Sequence, residues 1–272
     1  VHDAFSVATY NVHGGVDAWG RPVDAVGEVA RLEADVILLQ ENWVTQTGES
    51  VARSLAERVG ATVFEVPLAH GRRARPHADA GDAWHRHRAF LDGDHALFVD
   101  SELPLRGSLA SSDRFADAEP GSWGIAVISR LPVASWRILD LGRRQRDRAH
   151  RRVLLVQVVA PGGMVEIACV HMSHLIHGSP VQIRSLGRIL GGRSASHGAT
   201  IIGGDMNCWA TPLRLLLPGW QRAASGPTWP AWRPHSQLDH LLVGGRLSVL
   251  SGSVIAAKAS DHLPVKATLA LR

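Results

Sequence analysis

The feature that most restricts the fold is a series of short apolar runs that follow one another too closely for a helix to stand between every pair. Ser6 to Asn11, Val36 to Gln40, Ala61 to Glu65, Ile125–Ser129, Val133–Leu139, Val153–Val159, Val165–His171, Thr200–Gly204, Leu238–Val243 and Val265–Leu271 read as strands. Some are joined by turns as tight as Pro161-Gly162-Gly163, whereas a parallel pair needs a crossover of about a dozen residues or more. The sheets are therefore antiparallel or mixed, not purely parallel. Helical spacing interleaves with them at Glu49–Val59, at Pro180–Leu190 and at Pro22–Glu33, where a proline opens a segment with Val23, Val26, Val29 and Ala30 on one side. The fold class is α/β.

Composition narrows the rest. A hydrophobic content of 45% with 20% charged residues suits a globular chain, and no apolar run approaches the roughly eighteen residues of a membrane span. The 272 residues read as a single domain, 1–272, expected to act as a monomer. Around 70–122 a long polar insertion rich in Arg, His, Asp, Gly and Ser interrupts the pattern. Cys169 and Cys208 are too few for a disulfide framework, and Val1-His2-Asp3-Ala4-Phe5 has no signal-peptide character. A reducing, cytoplasmic location is expected. The net charge of +4 is compatible with a polyanionic partner without demanding one. Two arginine clusters, Arg143, Arg144, Arg146, Arg148, Arg151, Arg152 and Arg72, Arg73, Arg75, Arg86, Arg88, read as solvated faces or as phosphate contacts.

Chemistry gathers where the apolar runs stop. Ala199-Thr200-Ile201-Ile202 opens onto Gly203-Gly204-Asp205-Met206-Asn207. If the chain stays extended, residues two apart share a face, so Asp205 and Asn207 bring a carboxylate and an amide to one place. That pair suits hydrolysis of a phosphate ester, although Gly-Gly-Asp also makes ordinary turns. Tyr10-Asn11-Val12-His13-Gly14, Leu39-Gln40-Glu41-Asn42, Val170-His171, Leu238-Asp239-His240 and Ser260-Asp261-His262 mark other strand ends. Singly, each has a structural reading: Asn11 as a turn cap, Glu41 in solvent, His171 as a satisfied core histidine.

In order, together with Gly124-Ile125-Ala126-Val127-Ile128-Ser129-Arg130 and Leu263-Pro264-Val265, these segments resemble the endonuclease/exonuclease/phosphatase superfamily over essentially the whole chain. That superfamily includes exonuclease III, deoxyribonuclease I, neutral sphingomyelinases and inositol polyphosphate 5-phosphatases. The resemblance implies a four-layer α/β/β/α sandwich, two mixed, mostly antiparallel sheets face to face with helices outside. It implies a divalent-metal-dependent phosphoesterase, a phosphodiesterase or nuclease first, using Mg²⁺ or Mn²⁺. The same likeness admits a phosphatase or phospholipase C-type enzyme acting on a phosphorylated metabolite or phospholipid headgroup. Residue by residue, Glu41, Asn11 and Asp261 correspond to the metal positions or their waters. Asp205 corresponds to the group that orients or deprotonates water, and Asn207 to one that holds a phosphate oxygen or that water. His262 faces the phosphorus with Asp239 fixing its tautomer, and His171 donates to a non-bridging oxygen. The resemblance implies a phosphate-ester substrate, nucleic acid or a small phosphorylated molecule, and leaves its binding residues unassigned.

His13 departs from the nucleases that carry an aspartate two residues after this asparagine, which favours a one-metal site. The glutamate is followed by Asn42-Trp43 rather than by the Thr-Lys of the apurinic-site branch. His85, His87, His171, His174 and His177 lack zinc spacing. Trp209, Trp220, Trp229 and Trp232 read as packing before base stacking or lipid contact. A non-catalytic module keeping the fold is the rival of another class. Retention of Glu41, Asp205 and His262 stands against it.

Overall fold

The computed structural model of the protein describes residues 4–19, 21–73, 99–100, 119–144, 147, 149–174, 178–194 and 198–272. Its elements are β1 (Ala4–Asn11), a 3-10 turn (His13–Gly15), α1 (Ala25–Ala30), β2 (Val36–Thr45), α2 (Val51–Val59), β3 (Thr62–Arg73), β4 (Val99–Asp100) and β5 (Glu119–Ser129). There follow β6 (Val133–Gly142), β7 (Arg151–Ala160), β8 (Gly163–His171), α3 (Ser179–Ser194), β9 (Ala199–Asp205), α4 (Ala210–Leu216), β10 (Gln221–Arg222), β11 (Asp239–Gly245), β12 (Leu247–Val254) and β13 (Val265–Leu271). They form a seven-stranded sheet, β12-β13-β1-β2-β5-β3-β4, and a six-stranded sheet, β10-β11-β9-β8-β7-β6. Among the described strands two pairs are parallel, β1 with β2 and β8 with β9. The crossovers of those pairs carry α1 and α3, as parallel connections require.

Strand alternation builds the layers. Val7, Leu38, Val127, Val156, Ile167, Ile201, Leu241 and Ala267 face inward and fill the core between the sheets. Ala8, Tyr10, Ile37 and Leu39 point the other way, onto Val29, Leu55 and Ala56 of α1 and α2. On the far side Leu155, Ala168, Val170 and Ile202 meet Ile183, Leu186 and Leu213 of α3 and α4. The result is the helix–sheet–sheet–helix sandwich. Gly203 serves this packing, because a Cβ there would lie 2.3 Å from Leu38 Cδ1 of the opposite sheet. Gly204 has φ 148°, and a Cβ on it would lie 1.9 Å from the Val170 carbonyl oxygen, so no other residue fits.

Several expectations change in detail. The helix expected from Pro22 begins at Ala25: Pro22 instead bridges back to Val16, and Asp24 caps the helix by accepting from Gly27 N at 2.7 Å. α2 is held as its sequence suggests, with Ser50 Oγ accepting from Arg53 N at 3.0 Å and Gly60 left-handed at its end. The polar insertion starts later than residue 70, since β3 continues to Arg73 and pairs there with β5. Residues 74–98 and 101–118 lie outside the described residues, as do Arg75, Arg86, Arg88, Arg146, Arg148, His85, His87 and His177. Arg151 and Arg152 are not a solvated face. Arg151 is buried, and Arg152 Nη1 donates to Pro67 O at 2.8 Å. Both cysteines are buried thiols, and burial pushes Cys169 up to about 12. Among the described residues no helix is long and apolar enough to cross a membrane.

Candidate active site

The parallel pairs end side by side, one in each sheet, and their inward-facing rows end in polar groups. On β1 the inward series Phe5, Val7 closes with Thr9 and Asn11; on β2 the series Val36, Leu38 closes with Gln40. On the other sheet His171, Asp205 and Asp239 stand in one register row across β8, β9 and β11. A row across a sheet shares one face, so this row looks across the sandwich at Asn11.

By parity Glu41 should point outward with Leu39. A bulge between Gln40 and Asn42 and a left-handed backbone, φ 55°, turn it inward instead, and parity resumes with Trp43 back in the core. His13 and Asn207, both at φ 46°, are the other left-handed non-glycine residues of this corner. Such conformations cost about 1–3 kcal/mol each and gather where geometry serves function.

One connected network results. Asn11 Nδ2 donates to Glu41 Oε1 at 3.0 Å and reaches Asp205 Oδ2 at 3.3 Å. Around the same oxygen stand His171 Nε2 at 3.6 Å and His262 Nε2 at 3.8 Å. His262 Nδ1 pairs with Asp239 Oδ2 at 2.8 Å, and Thr228 Oγ1 accepts from Asp239 N at 3.2 Å. Asn207 N donates to Asp205 Oδ1 at 2.8 Å, while its side-chain Nδ2 donates to Met172 O at 2.9 Å. His13 Nδ1 lies 3.3 Å from Asp261 Oδ1 and 3.5 Å from Glu41 Oε2. Ser260 Oγ, bonded to Asn11 O at 2.7 Å, and Trp229 Nε1, 3.3 Å from Asp261 Oδ2, tie the Ser260–His262 segment down.

The electrostatics separate the groups. Burial, with Asp239 and Glu41 adding to it, raises Asp205 above the usual carboxylate range despite the opposing His262 charge. Burial presses His262 down, yet Asp239, Asp261 and Asp205 together outweigh it and hold the imidazole well above its ordinary value. His171 goes the other way. Burial lowers it well below the histidine range, and the charges of Arg151, His174 and His262 lower it further. A buried cationic imidazole, a buried neutral one and a carboxylate lifted towards basicity thus converge on one point.

Two sets of atoms suit a cation. Asp205, Asp239 and His262 each offer one donor within 4.8 Å, but His262 there is bonded to Asp239 and already brings positive charge. Glu41 and Asp261 fit better. Their side chains are 13% and 18% exposed against 3% for Asp205, and both carboxylates converge on His13 Nδ1. Oxygen donors of this kind are those of Mg²⁺ or Mn²⁺.

All eight residues singled out from the sequence, Asn11, Glu41, His171, Asp205, Asn207, Asp239, Asp261 and His262, fall in this network. The means differ at Asn207. It lies in a left-handed turn beyond the end of β9, so a bend and not strand alternation brings it to Asp205. Sequence reasoning treated His13 as a lost carboxylate and missed that it bridges Glu41 and Asp261. It also missed Thr228 and read Trp229 as packing, where the indole Nε1 reaches Asp261 Oδ2; Thr-Trp-Pro ahead of Leu238-Asp239 was the available sign.

A profile of the Endonuclease/Exonuclease/phosphatase family matches residues 8–262. Similar solved structures include an endonuclease/exonuclease/phosphatase from Beutenbergia cavernae DSM 12333, with TM-score 0.66 and 20% identity over 98% of this chain and 72% of that one. Truncated Caenorhabditis elegans TDP2 follows at TM-score 0.61 and 13% identity, covering 98% of this chain and 97% of that one. D. rerio TDP2 complexed with single strand DNA product gives 0.61 and 14%, over 98% and 99%. No curated protein matches the chain in sequence.

Proposed function

The chain belongs to the Endonuclease/Exonuclease/phosphatase family, and we propose that it is a divalent-metal-dependent phosphodiesterase that cleaves its ester by in-line attack of water. One observation carries the reading. The buried Asp205 carboxylate, lifted above the usual range, has a cationic His262 and a neutral His171 within 3.8 Å. A base must lie near neutrality to take a proton from water and still be unprotonated at working pH, and burial gives Asp205 that character.

Asp205 orients the water and accepts its proton as the new O–P bond forms, and the leaving oxygen departs on the opposite side. The Asn207 backbone N–H fixes the aim of Asp205, and the second amide hydrogen of Asn207 remains for a phosphate oxygen. His262, oriented by Asp239 and held in its charged form by it, places positive charge against the phosphorane oxygens. His171 donates from Nε2 as a neutral imidazole. Glu41 and Asp261, with Asn11 beside them, would hold the metal, which when bound neutralises charge developing on phosphate and leaving oxygen. Nucleic acid is the favoured substrate, since one structural neighbour is described in complex with a single-strand DNA product.

The test is a hydrolysis panel run with Mg²⁺ and with EDTA on bis-p-nitrophenyl phosphate, plasmid DNA, single-stranded oligonucleotides, RNA, sphingomyelin and inositol phosphates. EDTA-sensitive cleavage of a diester, lost in Asp205→Ala, is expected. Turnover confined to monoesters or to sphingomyelin would replace the phosphodiesterase reading with a phosphatase or phospholipase one. No turnover on any of them would return the chain to a binding module.

A further inference from the structure

The two histidines of the site are held by different means. His262 has a carboxylate on its second nitrogen. His171 has none: its buried Nδ1 meets no hydrogen-bond partner among the described residues. The ring must therefore be fixed from its faces and its backbone. Trp123 on β5 packs against it, ring centroids 4.9 Å apart and tilted by 53°. Behind Trp123 sits the Arg151 guanidinium, 5.2 Å from the indole centroid. The same guanidinium donates through Nη1 to the His171 carbonyl at 3.2 Å. Arg151 thus touches His171 twice, through its backbone and through an aromatic ring.

Arg151 is itself fixed. Nε and Nη2 make a fork onto the two oxygens of Asp147, at 2.7 and 3.1 Å. Ser173 Oγ donates to Asp147 as well, and Ala149 N reaches Asp147 Oδ1 at 3.0 Å. Burial presses Asp147 upward, but Arg151, Ser173 and Ala149 hold it below the usual carboxylate range. A fully ionised, forked pair buried this deeply is rigid as long as both partners remain.

We propose that Arg151 is a positioning residue for the phosphoesterase site: through Trp123 and the His171 carbonyl it holds the imidazole and aims His171 Nε2 at the Asp205 corner. The proposal rests on the reading of this site as a phosphoesterase.

The experiment is a double-mutant cycle of Arg151→Lys and His171→Gln, in bis-p-nitrophenyl phosphate hydrolysis with Mg²⁺. Lysine keeps the charge and loses the fork and the flat face. If Arg151 acts through His171, Arg151→Lys lowers kcat about tenfold with KM changed less than about twofold, since a small misplacement of a reacting group is felt in the chemical step. In the His171→Gln background the same substitution then costs less than about twofold. An equal loss in both backgrounds overturns the proposal. A second readout needs no turnover: the NMR shifts of the His171 ring protons, which the ring current of Trp123 displaces at a centroid distance of 4.9 Å. They are expected to move towards ordinary histidine positions in the charge-balanced pair Arg151→Met/Asp147→Asn, which removes both members of the buried ion pair. Unchanged ring shifts in that folded variant also overturn the proposal. If wild-type protein cleaves no phosphate ester, the phosphoesterase reading fails while the ring shifts still decide whether Arg151 holds His171.

Discussion

The two halves of the site reach the same corner by opposite routes. In the six-stranded sheet, His171, Asp205 and Asp239 are placed by unbroken register on three neighbouring strands. In the seven-stranded sheet, Glu41 arrives through a bulge, and His13 through a left-handed turn just beyond β1. The regular half is nearly dry, with Asp205, Asp239 and His171 4% exposed or less. Glu41 and Asp261 keep more contact with solvent. A dry, register-built row suits groups whose ionisation must be set by the protein. A more open, irregular rim suits carboxylates that must receive an ion with its waters.

The comparison can be broken at several points. Asp205→Ala should give the largest loss, about 10³-fold or more in kcat, the scale of a removed general base, with an unchanged circular dichroism spectrum. A loss smaller than tenfold would mean that the dry half is structural. Asp239→Asn should lower kcat by about 10²-fold or more, because His262 loses the carboxylate that orients it and favours its charged form. The sensitive check is that its KM for Mg²⁺ stays near the wild-type value. Glu41→Gln should do the converse and raise the Mg²⁺ concentration for half-maximal rate by about 10-fold or more. Near-equal metal dependence in the Asp239 and Glu41 variants would erase the division between the halves. Gly204→Ala tests the register itself. With φ 148° and a backbone oxygen 1.9 Å from the new Cβ, it should cost about 3 kcal/mol or more in denaturant unfolding. The smallest effect expected is for His13→Asp, which adds a third carboxylate to Glu41 and Asp261. It should tighten Mn²⁺ binding by a few-fold in calorimetry at low salt, through a Coulomb gain of about 1 kcal/mol.

The same division explains what could be read from the sequence. In the register-built half the strand limits are visible because apolar runs are a sequence property, and His171, Asp205 and Asp239 stand where those runs stop or start. Their roles come from the resemblance of the motifs. Glu41 is out of phase with Val36, Leu38 and Gln40, so periodicity alone sends it to the wrong face. It was found through the resemblance of its motif. Asn207 meets Asp205 through a left-handed turn, which strand alternation does not foresee. β12 was missed because its outward positions are serine and glycine, and α4 because it is short and carries Pro212 near its start. The orientation of Arg151 was hidden too. A run of arginines looks solvated until a buried aspartate four residues earlier is seen to turn one of them inward.

The bulge in β2 has one more consequence. It is a single inserted position in an otherwise continuous ladder, flanked on both sides by pairs in good register with β5. Loss of one codon would restore an uninterrupted strand and leave the inter-sheet core in phase, yet remove the carboxylate from the cleft. In a chain built this way a single residue within one strand decides whether a carboxylate faces the cleft or the helices. Counting residues between Leu38 and Trp43 is therefore a quick way to tell, in a related sequence, whether the bulge is kept.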